Sequence, residues 1–186
     1  TLVATDAPPP VISAGGHHRI FLTSDQYDGD LTTAIYAQGP FGNGRLGADA
    51  RCQHLGDTST LLPSGLTWRA LISTSGMNIS AIMASQGPVF NMRREQVADS
   101  YGDLTDADNL TAGVFIDDKG ELPELGDQHA WTGSSTTAIY DAANSCTEFT
   151  GTGGNGGVGD GFEVTRANFF RAAAGGCTGT NRLYCV

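Results

Sequence analysis

Asn181-Arg182-Leu183-Tyr184-Cys185-Val186 closes the chain, and its cysteine decides how the rest is read. A cysteine one residue from the end makes sense where that end must be tied down. Its partner must come from Cys52, Cys146 and Cys177, and no Cys-x-x-Cys pair occurs. An even count without closely spaced pairs reads as a disulfide framework rather than a zinc site; buried free thiols are the plainer alternative. Four cysteines allow three connectivities. The nested one, Cys52 with Cys185 and Cys146 with Cys177, is favoured, its outer bridge tying the C-terminal segment to the first third of the domain. By loop entropy the outer and inner bridges would stabilise by roughly 5 and 4 kcal/mol. An oxidising compartment is then expected, at the cell surface, in a periplasm or in the extracellular space.

Outward from that segment, the chain of 186 residues suits one domain, large enough to bury a core without a metal. A net charge of -10 with ten Lys plus Arg excludes nucleic acid and anionic membrane surfaces as partners, since both need a basic patch. No apolar run approaches the roughly 18 residues of a membrane span, so insertion is not expected. With neither an initiator Met nor a signal-peptide pattern, the chain reads as a mature or excised piece of something longer. Glycine, at 26 residues, is about double its average usage and indicates many turns.

Residues 1–18 hold Pro8-Pro9-Pro10 and Gly15-Gly16 and read as a linker or stalk junction, leaving 19–186 as the domain. Arg19 to Ser24 is a strand pattern closed by Asp28-Gly29-Asp30. Leu46 to Leu55 places Ala48, Cys52 and Leu55 on one helical face, with Gly56 as C-terminal cap. Trp68 to Ser73, Gly113 to Asp117, His129 to Gly133 and Arg182 to Cys185 read as further strands. Trp68 and Trp131 fall inside strand signatures and are expected in the core.

These pieces, in order, resemble a family of bacterial surface domains in the endostatin-like branch of the C-type-lectin-like fold. The residues that carry the resemblance are Ile20 to Ser24, Gly47 to Gln53, Thr67 to Ser73, Gly87-Pro88-Val89, Val97 to Leu104, Asp118-Lys119-Gly120, Trp131-Thr132-Gly133 and Arg182 to Cys185. The resemblance implies an α+β domain with two helices, small antiparallel sheets, N- and C-terminal strands side by side, and the same nested disulfides. It implies no enzyme. The chain departs from the family in the Tyr/Phe/Gly loop from Thr32 to Gly44 and in the glycine-rich tract from Gly151 to Gly161. Both are candidate recognition loops or simple length variation. The Glu-Pro-Asn, Gln-Pro-Asp and Trp-Asn-Asp signatures of calcium-dependent sugar binding do not occur.

For chemistry, Asp99, Asp103, Asp106 and Asp108, with Asn109, supply the hard oxygens calcium prefers, but their spacing is not an EF-hand; a solvated acidic loop is the plainer reading. Asp117-Asp118 poses the same choice. Gly151 to Gly156 fits G-x-G-x-x-G literally yet lacks a βαβ frame, so a mobile loop is expected instead of a nucleotide site. His17, His18, His54 and His129 are candidate zinc ligands or ordinary surface histidines. No G-x-S-x-G is present, and no spacing pairs two carboxylates for glycoside hydrolysis. Two glycosylation sequons, at Asn78 and Asn109, are read as chance. Tyr36, Phe41, Tyr101 and Tyr140, together with Tyr27, are candidate ligand-stacking aromatics.

The expected function is a non-enzymatic extracellular recognition or adhesion module for a glycan or cell-envelope ligand. It would form the tip of a surface fibre, with a homotrimer built through an N-terminal stalk, no obligate cofactor, and calcium as a candidate ion. The alternatives are a structural or oligomerisation domain of a larger surface protein and, behind it, a polysaccharide hydrolase.

Overall fold

Two buried faces of one sheet organise the molecule. The computed structural model describes residues 18–82, 87–106 and 110–186; of the expected linker, 1–17 lie outside them. A five-stranded sheet runs in the order β2 (Phe21–Leu22), β8 (Arg182–Cys185), β5 (His129–Trp131), β6 (Asn155–Asp160), β7 (Ala173–Gly176). A three-stranded sheet joins β1 (His18–Arg19), β3 (Val89–Phe90) and β4 (Gln96–Ala98). Side chains alternate across a strand, so neighbours enter opposite cores. Leu22, Ala130 and Tyr184 join a cluster with Ile20, Leu71, Phe169 and Phe170. Phe21, Trp131, Leu183 and Cys185 join another with Leu31, Ala48, Cys52 and Phe149. With both faces covered, β8 is apolar without alternation, apart from Arg182.

The helix α1 (Gly44–Thr58) covers the second cluster. Asn43 caps it, its side-chain oxygen accepting from Leu46 N at 2.9 Å. Ala48, Cys52 and Leu55 point inward as the 3.6 period requires. Gly56 is not the cap: it lies inside the helix, where a Cβ would run into the Trp68 indole, and the helix ends at Ser59. Cys52 bonds Cys185, pinning α1 to β8, and Cys146 bonds Cys177; no cysteine is free. That chemistry suits an oxidising compartment outside the cytoplasm. Among the described residues no helix is long and apolar enough to cross a membrane.

The architecture is α+β with small sheets, and several expected elements differ. The expected strand Arg19 to Ser24 is broken: β1 belongs to one sheet and β2 to the other, with Ile20 fully buried at the crossing. The sheets are mixed rather than antiparallel, because β1 pairs β3 and β5 pairs β8 in parallel. Beside α1, the described residues form the short helices α2 (Ile79–Ile82), α3 (Tyr101–Asp106) and α5 (Arg166–Arg171), a 3₁₀ turn at Ala142–Asn144, and the single turn α4 (Cys146–Phe149). Trp68 to Ser73 runs beside β8, with Leu71 N donating to Tyr184 O at 2.9 Å, yet it makes only one bridge, at Ala70. Gly113 to Asp117 likewise forms no strand and touches Leu22 through one bridge at Asp117. The N- and C-terminal strands do lie side by side, Phe21 opposite Cys185 and Leu22 opposite Tyr184.

The glycine-rich tract is not a mobile loop over most of its length. Asn155–Asp160 is an interior strand, paired with β5 on one side and β7 on the other. Glycine is required there by close approach. A Cβ at Gly156 would lie 2.7 Å from Cys146 Sγ, and one at Gly159 would fall inside the Phe169 carbonyl oxygen. Only Thr152 to Gly154 keeps the exposed, open character expected of the tract.

Candidate functional site

The loop from Thr32 to Gly44 leaves the core at Leu31 and returns at the start of α1. Arg51, on α1 and 1% exposed, fastens its base. Its Nη1 donates to Leu31 O at 2.7 Å and Gly47 O at 2.9 Å, and its Nη2 to Thr33 O at 3.3 Å and Thr33 Oγ1 at 3.2 Å. The guanidinium also sits over the Tyr27 ring, 5.0 Å from its centroid.

At the loop's turn, Tyr36 and Ala37 adopt φ of 52° and 62°, a left-handed conformation costing side-chain-bearing residues of order 1–2 kcal/mol each. Tyr36 is half-buried. Its hydroxyl donates to Asp25 Oδ2 and lies 2.8 Å from the Tyr27 hydroxyl. Its ring stacks on His54, the centroids 3.9 Å apart. Burial first, then the hydrogen bond to Asp25, holds the Tyr36 phenol well above the ordinary tyrosine range; burial does the same for Tyr27. Both stay neutral donors through physiological pH. Phe41 turns back on its own loop, close to Gly39.

A second strained element abuts this region. All four residues of α4 have positive φ, between 49° and 61°, so the turn is left-handed. Phe149 N donates to Ser145 O at 2.7 Å, Phe149 is fully buried against Trp131, and Cys146 carries the inner disulfide. Leu31 N donates to Phe149 O at 3.0 Å, so this turn also fixes the entry to the Thr32 loop.

The other sequence candidates are placed as follows. Tyr140 is half-buried, its hydroxyl near Ser145 Oγ and Glu148 Oε1 at 3.4 and 3.3 Å; none of its partners is shared with Tyr36. Tyr101 begins α3 and Asp106 ends it. Asp99 is exposed and accepts from Gln96, Asp103 sits in the first turn of α3, and Asp108 and Asn109 lie outside the described residues. Among the described residues no group of three or more His, Cys, Asp or Glu is gathered to hold a metal. Asp117 and Asp118 are buried instead of solvated: Asp118 accepts from Ser24 N at 2.6 Å, and Asp117 accepts from Lys119 N and Glu121 N and faces Arg182 at 3.7 Å. His17 lies outside the described residues. His54 stacks on Tyr36, and His129 approaches Asp160 at 3.8 Å.

Away from this loop, a cleft of about 490 Å³ opens between β1, the segment ending in Arg69, and Val186. Among the described residues that line it there is no Asp or Glu.

Sequence reasoning singled out Tyr36 and Tyr27, and His54 as a candidate zinc ligand, but gave Asp25 and Arg51 no part in the site. Arg51 and His54 stand three apart on α1 and so share one flank, beside the inward face of Ala48, Cys52 and Leu55. A scan against protein-family models gives no match for this chain, and a search of curated proteins gives none.

Proposed function

We propose that this is a non-enzymatic extracellular recognition module of C-type-lectin-like architecture, which binds a glycan or cell-envelope ligand through the Thr32 to Gly44 loop. The observation that carries the reading is Tyr36: an aromatic side chain on an exposed loop, in a strained backbone conformation, with hydroxyl and ring both already fixed. Strain of this kind persists where surrounding structure over-determines it, and it concentrates at binding sites. A ring ordered before binding loses little entropy on contact, and a tyrosine ring offers a stacking face. The paired β2 and β8 and the disulfide from α1 to the last strand support the architectural part. The test is a glycan-array and whole-cell screen of the domain, with calcium and with chelator, beside a Tyr36→Ala variant of unchanged fold. Binding abolished by Tyr36→Ala is expected; binding indifferent to that change, or none in either condition, overturns the reading.

A second reading, a structural or assembly domain, is supported by Leu61, Leu122 and Leu125, which are 57%, 56% and 91% exposed. Leu61 packs close to Gly120, which brings it to the segment carrying the other two. Sedimentation distinguishes the readings: this one expects an oligomer lost on Leu125→Ser, and a monomer that binds glycan contradicts it.

A further inference from the structure

The tip of the Thr32 to Gly44 loop is a two-residue hairpin. Ile35 N donates to Gln38 O at 2.9 Å and Gln38 N to Ile35 O at 2.8 Å, with the left-handed Tyr36 and Ala37 between them. Ala37, Gln38 and Pro40 stand exposed beside the half-buried Tyr36. Consecutive Cα atoms lie about 3.8 Å apart, so those of Tyr36 and Gln38 are separated by at most about 7.6 Å, within the span of one disaccharide.

Thr32 to Gly44 contains no Asp, Glu, Lys or Arg, on a chain that carries 20 acidic and 10 basic side chains of the Asp/Glu and Lys/Arg types. The charges that flank the loop are engaged within the fold. Asp25 accepts from the Tyr36 hydroxyl, Asp28 Oδ1 from Asp30 N at 3.0 Å, and Asp30 Oδ1 from Thr32 N at 3.0 Å and Thr32 Oγ1 at 2.6 Å. Arg51 is buried on backbone oxygens, and Arg45, the residue after the loop, pairs with Asp49 at 3.7 Å and donates to Ile72 O at 3.3 Å. Three aspartates beside the loop, on a chain of net charge -10, repel an anionic ligand. An ammonium group calls for a carboxylate at the contact surface, and the tip carries none. What the tip offers is the Gln38 carboxamide, a neutral donor and acceptor that makes no hydrogen bond among the described residues. Such a group matches sugar hydroxyls, which also donate and accept without charge.

We propose that the ligand of this loop is an uncharged glycan, its hydroxyls paired by Gln38 beside the Tyr36 ring; this rests on the recognition reading above and narrows it to neutral sugars. The probe is an array of neutral glucose, galactose, mannose and N-acetylglucosamine oligosaccharides beside uronate, sialylated, sulfated and free-amine ones, followed by titration of the strongest binder. The strongest binders should be uncharged, with a Kd that changes less than about twofold between about 0.05 and about 0.5 M NaCl. Gln38→Ala should weaken them at least about fivefold. The Gln38 side chain is exposed and unbonded, so that variant keeps its fold. Charged binders, or an affinity that falls at least about tenfold over that salt range, overturn this inference. The recognition reading then still stands where Tyr36→Ala abolishes their binding. Neutral binders indifferent to Gln38→Ala overturn the part given to Gln38, and the absence of any binder overturns both readings together.

Discussion

Two stretches that read alike in sequence, Thr32 to Gly44 and Gly151 to Gly161, play opposite parts in the fold. Both are glycine-containing, polar and without periodicity. The first is an exposed loop whose order comes from side chains reaching it from elsewhere: Arg51 at its base, Asp25, Tyr27 and His54 at its turn. The second is mostly an interior strand whose order comes from having no side chains, so that Trp131, the inner disulfide and the Phe169 carbonyl can approach the backbone. Glycine content therefore reports either freedom or closeness. Only the surroundings decide which.

The sharpest way to break the comparison is inside the tract itself. Gly159→Val drives a branched side chain into the Phe169 carbonyl on an interior strand, and should cost about 4 kcal/mol or more, or prevent folding. Gly153→Ala meets nothing within 4 Å and should stay within about 0.5 kcal/mol of the parent. Urea unfolding of both variants reads the difference, and equal losses would put the tract back among the loops.

Next in size is Arg51→Met, which removes the hydrogen bonds that hold Leu31 O and Thr33 O at the loop's base. A loss of about 2–4 kcal/mol in thermal or urea unfolding is expected. The loss should be accompanied by faster amide exchange in 32–40 and not in 155–160.

Alkaline pH acts on the loop side as well. Burial raises the phenol pKa of Tyr27, Tyr36 and Tyr184 in the fold, while the unfolded groups titrate near pH ~10. Below pH ~10 both states hold the proton and this contribution to stability is fully present; above it the unfolded chain releases protons that the fold retains, so stability falls. Tm measured from neutral to alkaline pH should drop beyond that point, and Tyr36→Phe should flatten the drop. A flat profile in the parent would contradict the burial of these phenols.

The smallest loss expected on the loop side is that of Tyr36→Phe at neutral pH. It removes the hydroxyl from Asp25 and Tyr27 while keeping the ring on His54. About 1 kcal/mol should be lost in urea unfolding.

What the sequence made legible follows the same division. α1 was readable because Ala48, Cys52 and Leu55 keep helical period, and β8 because its short apolar run ends on a cysteine. The Gly56 cap and the continuous strand from Arg19 to Ser24 misled, because both depend on tertiary neighbours: Trp68 beside the glycine, and a second sheet that captures His18 and Arg19. Nothing in Cys-Thr-Glu-Phe marks a left-handed turn, since the disulfide and the buried Phe149 impose it from outside. The Tyr36 cluster joins positions 25, 27, 36, 51 and 54, and only the folded chain brings Asp25 to a tyrosine eleven residues away.

The most direct test is hydrogen exchange across the two stretches in one experiment. Amides of Val158 and Gly159 should exchange only with global unfolding, at the rate of Ala130 and Trp131, whereas those of Thr152 to Gly154 exchange early and those of 33–38 fall between. If 155–160 exchanges as fast as 151–154, the tract is a loop after all and the division between a glycine-built frame and a side-chain-ordered recognition loop fails.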